Sequence, residues 1–255
     1  MTNNKSPGPD GIPVDVLKIF VDELAPILTL VFNATYDIGL LPIVMRQGNI
    51  VLLFKNKGSR SDPTSYRPIG LCSKLYACLS TVLTLWLDKV LHGIIYSNQT
   101  GFVRNRFMHE NIIRLMDLMS HVQDANTPAC IISTDLYHCF DCISREVLLK
   151  VLDIVCGETN HSFTRWIKLL LRDQERRILV NGKLTAAFTL RGGTTQGDPI
   201  SPLLCTIIGE SLGRLLHKNV QGIKIPGTAD HASIARYCDD YNAILPPWEV
   251  GTYIN

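Results

Sequence analysis

The sequence predicts an α+β chain, with helices and strands mixed along its length. Three observations carry this. Leu75, Leu79, Val82, Trp86 and Val90 recur at the spacing of a helix that faces a core. Asn181-Gly182 stands between two apolar runs, the strongest short-range signal for a β-hairpin. Hydrophobic residues make up 46% of the 255 positions, enough to bury a sizeable core in one large domain or two interlocked lobes.

In chain order, Ser6-Pro7-Gly8-Pro9-Asp10-Gly11 reads as a turn-rich loop. Pro13 suits the first turn of a helix reaching Leu24. Pro26 opens the next helix, which Gly39 and Pro42 end. Residues 49–54 are a short apolar run and read as a buried strand; 55–66 read as a polar loop. The helix carrying Leu75 follows, then another over 110–122. After Pro128, residues 129–134 read as a strand that ends at Asp135. Two helices are expected over 145–155 and 162–171. Hairpin arms at 177–180 and 183–190 flank Asn181-Gly182. A Gly-rich loop leads into a helix over 199–216. A final hairpin spans 234–245, with Cys238-Asp239-Asp240 near its turn. There are no internal repeats or low-complexity segments.

The net charge of +2 hides an asymmetry. From Arg46 to Arg106 there are nine Lys or Arg against two acids, Asp62 and Asp88, so that stretch carries +7 and the rest −5. A basic block of this kind suits phosphate binding and a nucleic-acid groove; an ordinary solvated basic face has the same composition. Eight cysteines are scattered along a chain whose first residues are polar and Pro/Gly-punctuated, with no secretory leader. They read as reduced thiols of an intracellular protein. Cys139 and Cys142 have C-x-x-C spacing but lack the second pair that a structural zinc site needs. No stretch reaches the length of a membrane span, because Ser80, Thr81, Thr84, Asp88 and Lys89 interrupt the longest apolar segment.

Nucleotidyl transfer asks little covalent work of protein side chains. It needs two divalent ions clamping the attacking and leaving oxygens, and magnesium prefers carboxylates, phosphate oxygens and water. Acidic residues on neighbouring strands, pointing one way, supply that. Asp135 ends one expected strand, and Asp239 and Asp240 sit at the turn of another. If those strands pair, the carboxylates converge.

These residues also carry a resemblance. Thr134-Asp135-Leu136-Tyr137-His138-Cys139-Phe140-Asp141 resembles the first catalytic motif of LINE-type (non-LTR) retrotransposon reverse transcriptases, and Tyr237-Cys238-Asp239-Asp240 resembles their Tyr-x-Asp-Asp box. Arg191-Gly192-Gly193-Thr194-Thr195-Gln196-Gly197-Asp198-Pro199-Ile200-Ser201-Pro202 is similar to the family motif between them. Ser6-Pro7-Gly8-Pro9-Asp10-Gly11-Ile12-Pro13, Tyr66-Arg67-Pro68-Ile69 and Gln99-Thr100-Gly101-Phe102 match upstream motifs in the family's order.

The resemblance implies a right-hand polymerase: fingers and palm, the palm an antiparallel sheet packed on helices. It places a fingers-side region, interleaved with the palm, in 1–125 and the palm in 126–255, ending before the primer grip and thumb. It implies RNA-directed DNA polymerase activity on an RNA template and a DNA primer or target, with dNTP substrates and no membrane, on nuclear DNA. Two magnesium ions, with manganese able to substitute, would be held by Asp135, Asp239 and the Leu136 carbonyl, with Asp240 supporting. Phe140 would press on the sugar and favour deoxynucleotides. Lys55 or Lys57, together with Arg67, would neutralise the triphosphate, and Gln196 and Gly197 would line the nucleotide pocket. Lys74, Arg104 and Arg106 would meet template phosphates.

The chain departs from the pattern where a frequent Lys is His138, where the usual Ala is Cys139, and where a frequent Arg is Thr195. After Leu245 it reads Pro246-Pro247-Trp248 where the family continues its strand. Two alternatives stay open: a truncated relic or RNA-binding module without turnover, and a viral-type RNA polymerase. The last would favour a small or acidic residue near Phe140 and Gly in place of Cys238.

Overall fold

In the computed structural model, residues 6–157, 161–224, 231–232 and 234–254 are described. The elements run α1 (Val14–Ile19), α2 (Val21–Ile38), α3 (Ile43–Arg46), β1 (Gln47–Phe54), β2 (Tyr66–Cys72), α4 (Lys74–Ile94), α5 (Met108–Asp124), β3 (Cys130–Asp135), α6 (Cys139–Cys142), α7 (Arg145–Cys156), α8 (His161–Leu171), β4 (Glu175–Val180), β5 (Lys183–Leu184), β6 (Phe188–Thr189), α9 (Ser201–Asn219), β7 (Ile223–Lys224), β8 (His231–Ala232), β9 (Ile234–Tyr237), β10 (Asp240–Leu245) and α10 (Val250–Ile254). Most stop where the sequence supplies a stop. Gly39 takes a left-handed φ of 78° and its N–H donates to the Thr35 carbonyl, closing α2. Asn181 and Gly182 have φ of 49° and 77°, as a two-residue hairpin turn requires.

Four expectations are corrected. Pro26 lies inside α2 instead of opening it; the helix starts at Val21. The segment from Tyr66 is a strand, β2, which the sequence obscures because Pro68 cannot donate to a ladder. It is tolerated because β2 is the edge of its sheet, paired only with β1. Cys139 and Cys205 form a disulfide, so not all eight cysteines are thiols. Both lie buried, at the start of α6 and in the first turns of α9, with Cα atoms 7.0 Å apart. Finally, α4 is long and apolar enough by composition to cross a membrane, with mean hydropathy 1.2. Its Tyr76, Leu79, Leu83, Leu87 and Leu91 form a buried stripe at most 3% exposed, while Leu85, Trp86 and Val90 on the other side are exposed.

The contacts divide the chain into two units, Met1–Trp86 with Phe140–Ser201, and Leu87–Cys139 with Pro202–Asn255. In the first, a sheet runs β2-β1-β4-β5, with β6 also paired to β4. β1 pairs antiparallel with β2 and parallel with β4. The parallel partner comes from a distant part of the chain, so local patterning gives no hint of it. The buried Arg176 donates to the Arg46 carbonyl at 2.9 Å and to the Thr195 hydroxyl at 3.2 Å. Arg145 fastens the loop before α9 by donating to the carbonyls of Gly193, Leu171 and Leu190.

In the second unit the sheet is β3-β10-β9, antiparallel throughout. Tyr241, Ala243 and Leu245 of β10 pack with Leu212, Leu216 and Tyr253 on one face. Ile244, on the other face, packs with Leu115, Leu118 and Val122 of α5. This is the expected antiparallel palm sheet packed on helices. Beneath it lies a fully buried Arg236, whose guanidinium donates to Glu210 Oε2 at 2.8 Å and to Asn98 Oδ1 at 2.7 Å. Gly213 makes room for it: a Cβ there would lie 1.7 Å from Arg236 Nη1.

Removing one partner of a buried ion pair leaves the other charge uncompensated, a loss of about 3–5 kcal/mol. Glu210→Ala is therefore expected to lower the free energy of unfolding, measured by urea titration, by that amount, whereas Lys150→Ala, which removes a solvent-exposed pair with Glu146, should lower it by less than about 1 kcal/mol.

Candidate active site

The carboxylates are placed by strand register. Asp135 is the last residue of β3 and Asp240 the first of β10, and the two are directly paired. Their side chains therefore leave the same face of the sheet, with Cβ atoms about 4.5–5.5 Å apart. Asp240 also pairs with Tyr237 of β9, so Cys238 and Asp239 make a two-residue turn. The Asp239 carbonyl accepts from Leu136 N–H at 3.1 Å, which ties this turn to the chain leaving β3. Cys238 holds φ of 56°, a conformation that costs a residue with a Cβ about 1–2 kcal/mol. Asp135 and Asp240 are exposed and Asp239 is half-buried.

The electrostatics follow from this placement. Partial burial, then the charges of Asp239 and Asp135, push the Asp240 carboxyl above its ordinary range. Burial and the Asp239 charge push the Cys238 thiol up to about 12. Among the described residues no Lys, Arg or His forms an ion pair with any of the three carboxylates. Nor are three Asp, Glu, His or Cys side chains gathered there closely enough to chelate a metal unaided. The donor set still fits divalent magnesium. It consists of hard carboxylate oxygens, and magnesium is usually held by one or two carboxylates plus phosphate oxygens and water. The Leu136 carbonyl accepts from Cys139 N–H at 3.2 Å, which leaves one lone pair for an ion.

The expected nucleotide-side residues lie in the first unit. Arg67 stands exposed on β2 opposite Leu53. Lys55 Nζ donates to the Thr64 carbonyl at 2.9 Å, and Lys57 is exposed in the loop beyond it. Gln196 accepts from Gly70 N–H at 2.7 Å through its carbonyl, which pins it to β2. Gly197 has φ of 103°, and a Cβ there would lie 2.9 Å from the Gly70 carbonyl oxygen. The close approach that demands glycine is thus to the protein's own strand. Phe140 is half-buried, and its carbonyl accepts from Thr194 N–H at 2.7 Å.

Two expected phosphate contacts are corrected. Lys74 is buried and donates to the Ser6 carbonyl at 2.8 Å, while its N–H is capped by Asp10. It anchors the opening loop to α4. The Arg106 guanidinium donates to the carbonyls of Tyr96, Gln99 and Ile95 and so caps the end of α4. Burial pulls its pKa down. Arg104 pairs with Asp88 at 2.8 Å, with 63% of its side chain exposed.

Other polar residues escaped the sequence reading. Asp198 is buried and accepts from Tyr76 Oη at 2.8 Å and from the Ser80 hydroxyl, although burial pushes its pKa up. Asn111 donates to the Arg236 carbonyl at 2.7 Å. Gln99, inside a quoted motif, is fully buried. For Asp198 and Gln99 motif membership was the available signal, and Asn111 carried none; their bonds to Tyr76, Cys238 and Arg236 reach distant segments.

The fold is that of polymerase fingers and palm. A telomerase of Candida tropicalis truncated from its C-terminal domain superposes with TM-score 0.55 at 14% identity, over 82% of this chain and 45% of that one. The reverse transcriptase (RNA-dependent DNA polymerase) family matches residues 54–246, and the chain belongs to it. The transposon TX1 149 kDa protein of Xenopus laevis is 27% identical over 240 residues, 94% of this chain and 18% of its own length. The RNA-directed DNA polymerase from mobile element jockey of Drosophila melanogaster is 21% identical over 238 residues, 92% of this chain and 25% of its own. The chain thus spans a quarter or less of these relatives. It is a reverse transcriptase domain whose homologues are proteins of non-LTR transposons. The family uses divalent metal ions.

Because the folded state raises the Asp240 pKa, it favours the protonated acid. That contribution is full below the unfolded pKa and is lost as pH rises through the folded one. In metal-free buffer, Asp240→Asn should raise the melting temperature at neutral pH and give no gain at about pH 3, where the native acid is already protonated.

Proposed function

We propose that this domain copies RNA into DNA, extending the 3′-OH of a DNA primer with dNTPs. The observation that carries the reading is the direct pairing of Asp135 with Asp240 at one end of a sheet, beside the turn that carries Asp239. Asp135, Asp239 and the Leu136 carbonyl would hold two magnesium ions, or manganese in their place, and Asp240 would keep the local field negative. Ions held there supply charge stabilisation for the attacking and leaving oxygens. The protein's own part is position. β3 and β10 fix the two opposed carboxylates by register, and the tie from Leu136 N–H fixes Asp239.

Arg67 is suited to bidentate contact with a triphosphate. Lys57 is the better lysine partner, since the Lys55 ammonium is already bonded to Thr64. Phe140 would oppose a ribose 2′-OH, and Gln196 and Gly197 would border the nucleotide pocket. Arg104 is the remaining candidate for the RNA template, because Lys74 and Arg106 serve the fold.

Primer extension on poly(rA)/oligo(dT) with magnesium tests the reading. Wild type should incorporate dTTP, and Asp239→Asn should lose several kcal/mol of stabilisation, about a hundredfold or more in rate. Incorporation that survives the substitution would overturn the assignment. Phe140→Ala should raise ribonucleotide use relative to deoxynucleotide; an unchanged ratio removes the sugar-gate role.

A further inference from the structure

Cys238 lies between Tyr237 and Asp239, is 1% exposed and holds its positive φ with no glycine to ease it. Something must hold it there. Its N–H donates to Gln99 Oε1 at 2.8 Å, and its carbonyl accepts from Gln99 Nε2 at 3.2 Å. One side-chain amide thus closes both backbone groups of one residue. Gln99 is itself fixed: its side chain is fully buried, its Oε1 also accepts from Gly101 N–H at 3.0 Å, and its carbonyl accepts from Arg106. The segment around it runs beside β9 as a single parallel bridge to Arg236. Arg236 N–H donates to the Asn98 carbonyl at 2.8 Å, and Thr100 N–H donates to the Arg236 carbonyl at 3.0 Å. Gly101 permits the approach, since a Cβ there would lie 2.3 Å from Cys238 N.

We infer that Gln99 is a positioning residue for the Asp239 turn: its amide clamps Cys238 in the left-handed conformation that sets Asp239 beside Asp135 and Asp240. Without it, two buried backbone groups lose their partners, each at a cost of order 1–3 kcal/mol, and the strained φ has no support. A merely packing glutamine would be replaceable by an apolar residue of equal length. A clamp is not replaceable, because only a side chain with both a donor and an acceptor serves both groups of Cys238. The role deepens the reading above and rests on it only for its effect on metal binding, not for the clamp itself.

The test compares wild type with Gln99→Met, which keeps length and removes both bonds, Gln99→Glu, which keeps the acceptor and loses the donor, and Ile244→Val, a core change in the same unit away from the turn. The first readout is alkylation of Cys238, followed by mass spectrometry of its peptide in metal-free buffer. The clamp predicts labelling at least about tenfold faster in Gln99→Met than in Ile244→Val at matched distance below each melting temperature, with Gln99→Glu between them. Equal rates in all variants would overturn the inference. The second readout is manganese binding followed by electron paramagnetic resonance, with Asp239→Asn as reference. Gln99→Met should weaken binding about tenfold, the scale for losing a group that orients a metal ligand. Faster labelling with unchanged manganese affinity would overturn the link from clamp to Asp239. If wild type neither binds manganese nor extends primers, the proposed function fails, while the labelling result still decides the clamp.

Discussion

The second unit depends on one buried charge. Arg236 precedes Tyr237-Cys238-Asp239-Asp240 by a single residue and has no exposed surface, so its guanidinium must find every partner inside the protein. It finds Glu210 on α9, Asn98 beyond α4 and the Gly209 carbonyl. Its backbone bonds the same Asn98 and, through its carbonyl, Thr100 and Asn111. A helix, a loop after another helix and the first residue of α5's buried face are thereby held to one strand. Arginine suits this better than lysine because its planar fork offers donors in several fixed directions. The cost of burying the cation is met by bonding nearly every donor it carries.

From that anchor the site follows by register. β9 leads out of the network, the two-residue turn reverses the chain, and β10 returns with Asp240 opposite Asp135. A slip of one residue in either pairing would send one carboxylate to the opposite face. The helix packing excludes such a slip, because Tyr241, Ala243 and Leu245 would then leave their apolar cluster. Asp135 and Asp240 are exposed and mutually repelling, while the residues that place them are buried. The stability of the turn is thus drawn from residues remote from the chemistry.

Much of this was legible in the sequence, for reasons that differ by element. The hairpin at Asn181-Gly182 and the strand ending at Asp135 are local signals, and both stand where they were read. The helix carrying Leu75 and Leu79 stands where its period placed it, but its buried face is Tyr76, Leu79, Leu83, Leu87 and Leu91, while Trp86 and Val90 of the expected stripe are exposed. β2 was hidden by Pro68, because edge position, which excuses a proline, is a property of the assembled sheet. Charge misled where it was read as surface. Lys74 and Arg106 look like phosphate ligands in a basic stretch, and both turn out to cap their own fold. Arg236, Glu210, Gln99 and Asp198 have the opposite character: nothing in a polar residue's neighbours along the chain announces that it is buried. The bond from Arg236 to Glu210 spans 26 residues and that from Gln99 to Cys238 spans 139.

The opposed pair at the strand ends has a thermodynamic corollary. Two acids directly opposite each other make the fold less stable than its sheet alone would be. Any divalent ion bound there binds the native chain and not the unfolded one, so its binding energy is added to the folding energy. An ion held there would add to the rigidity of the hairpin. The same two residues couple ionic composition to how long the hairpin stays closed.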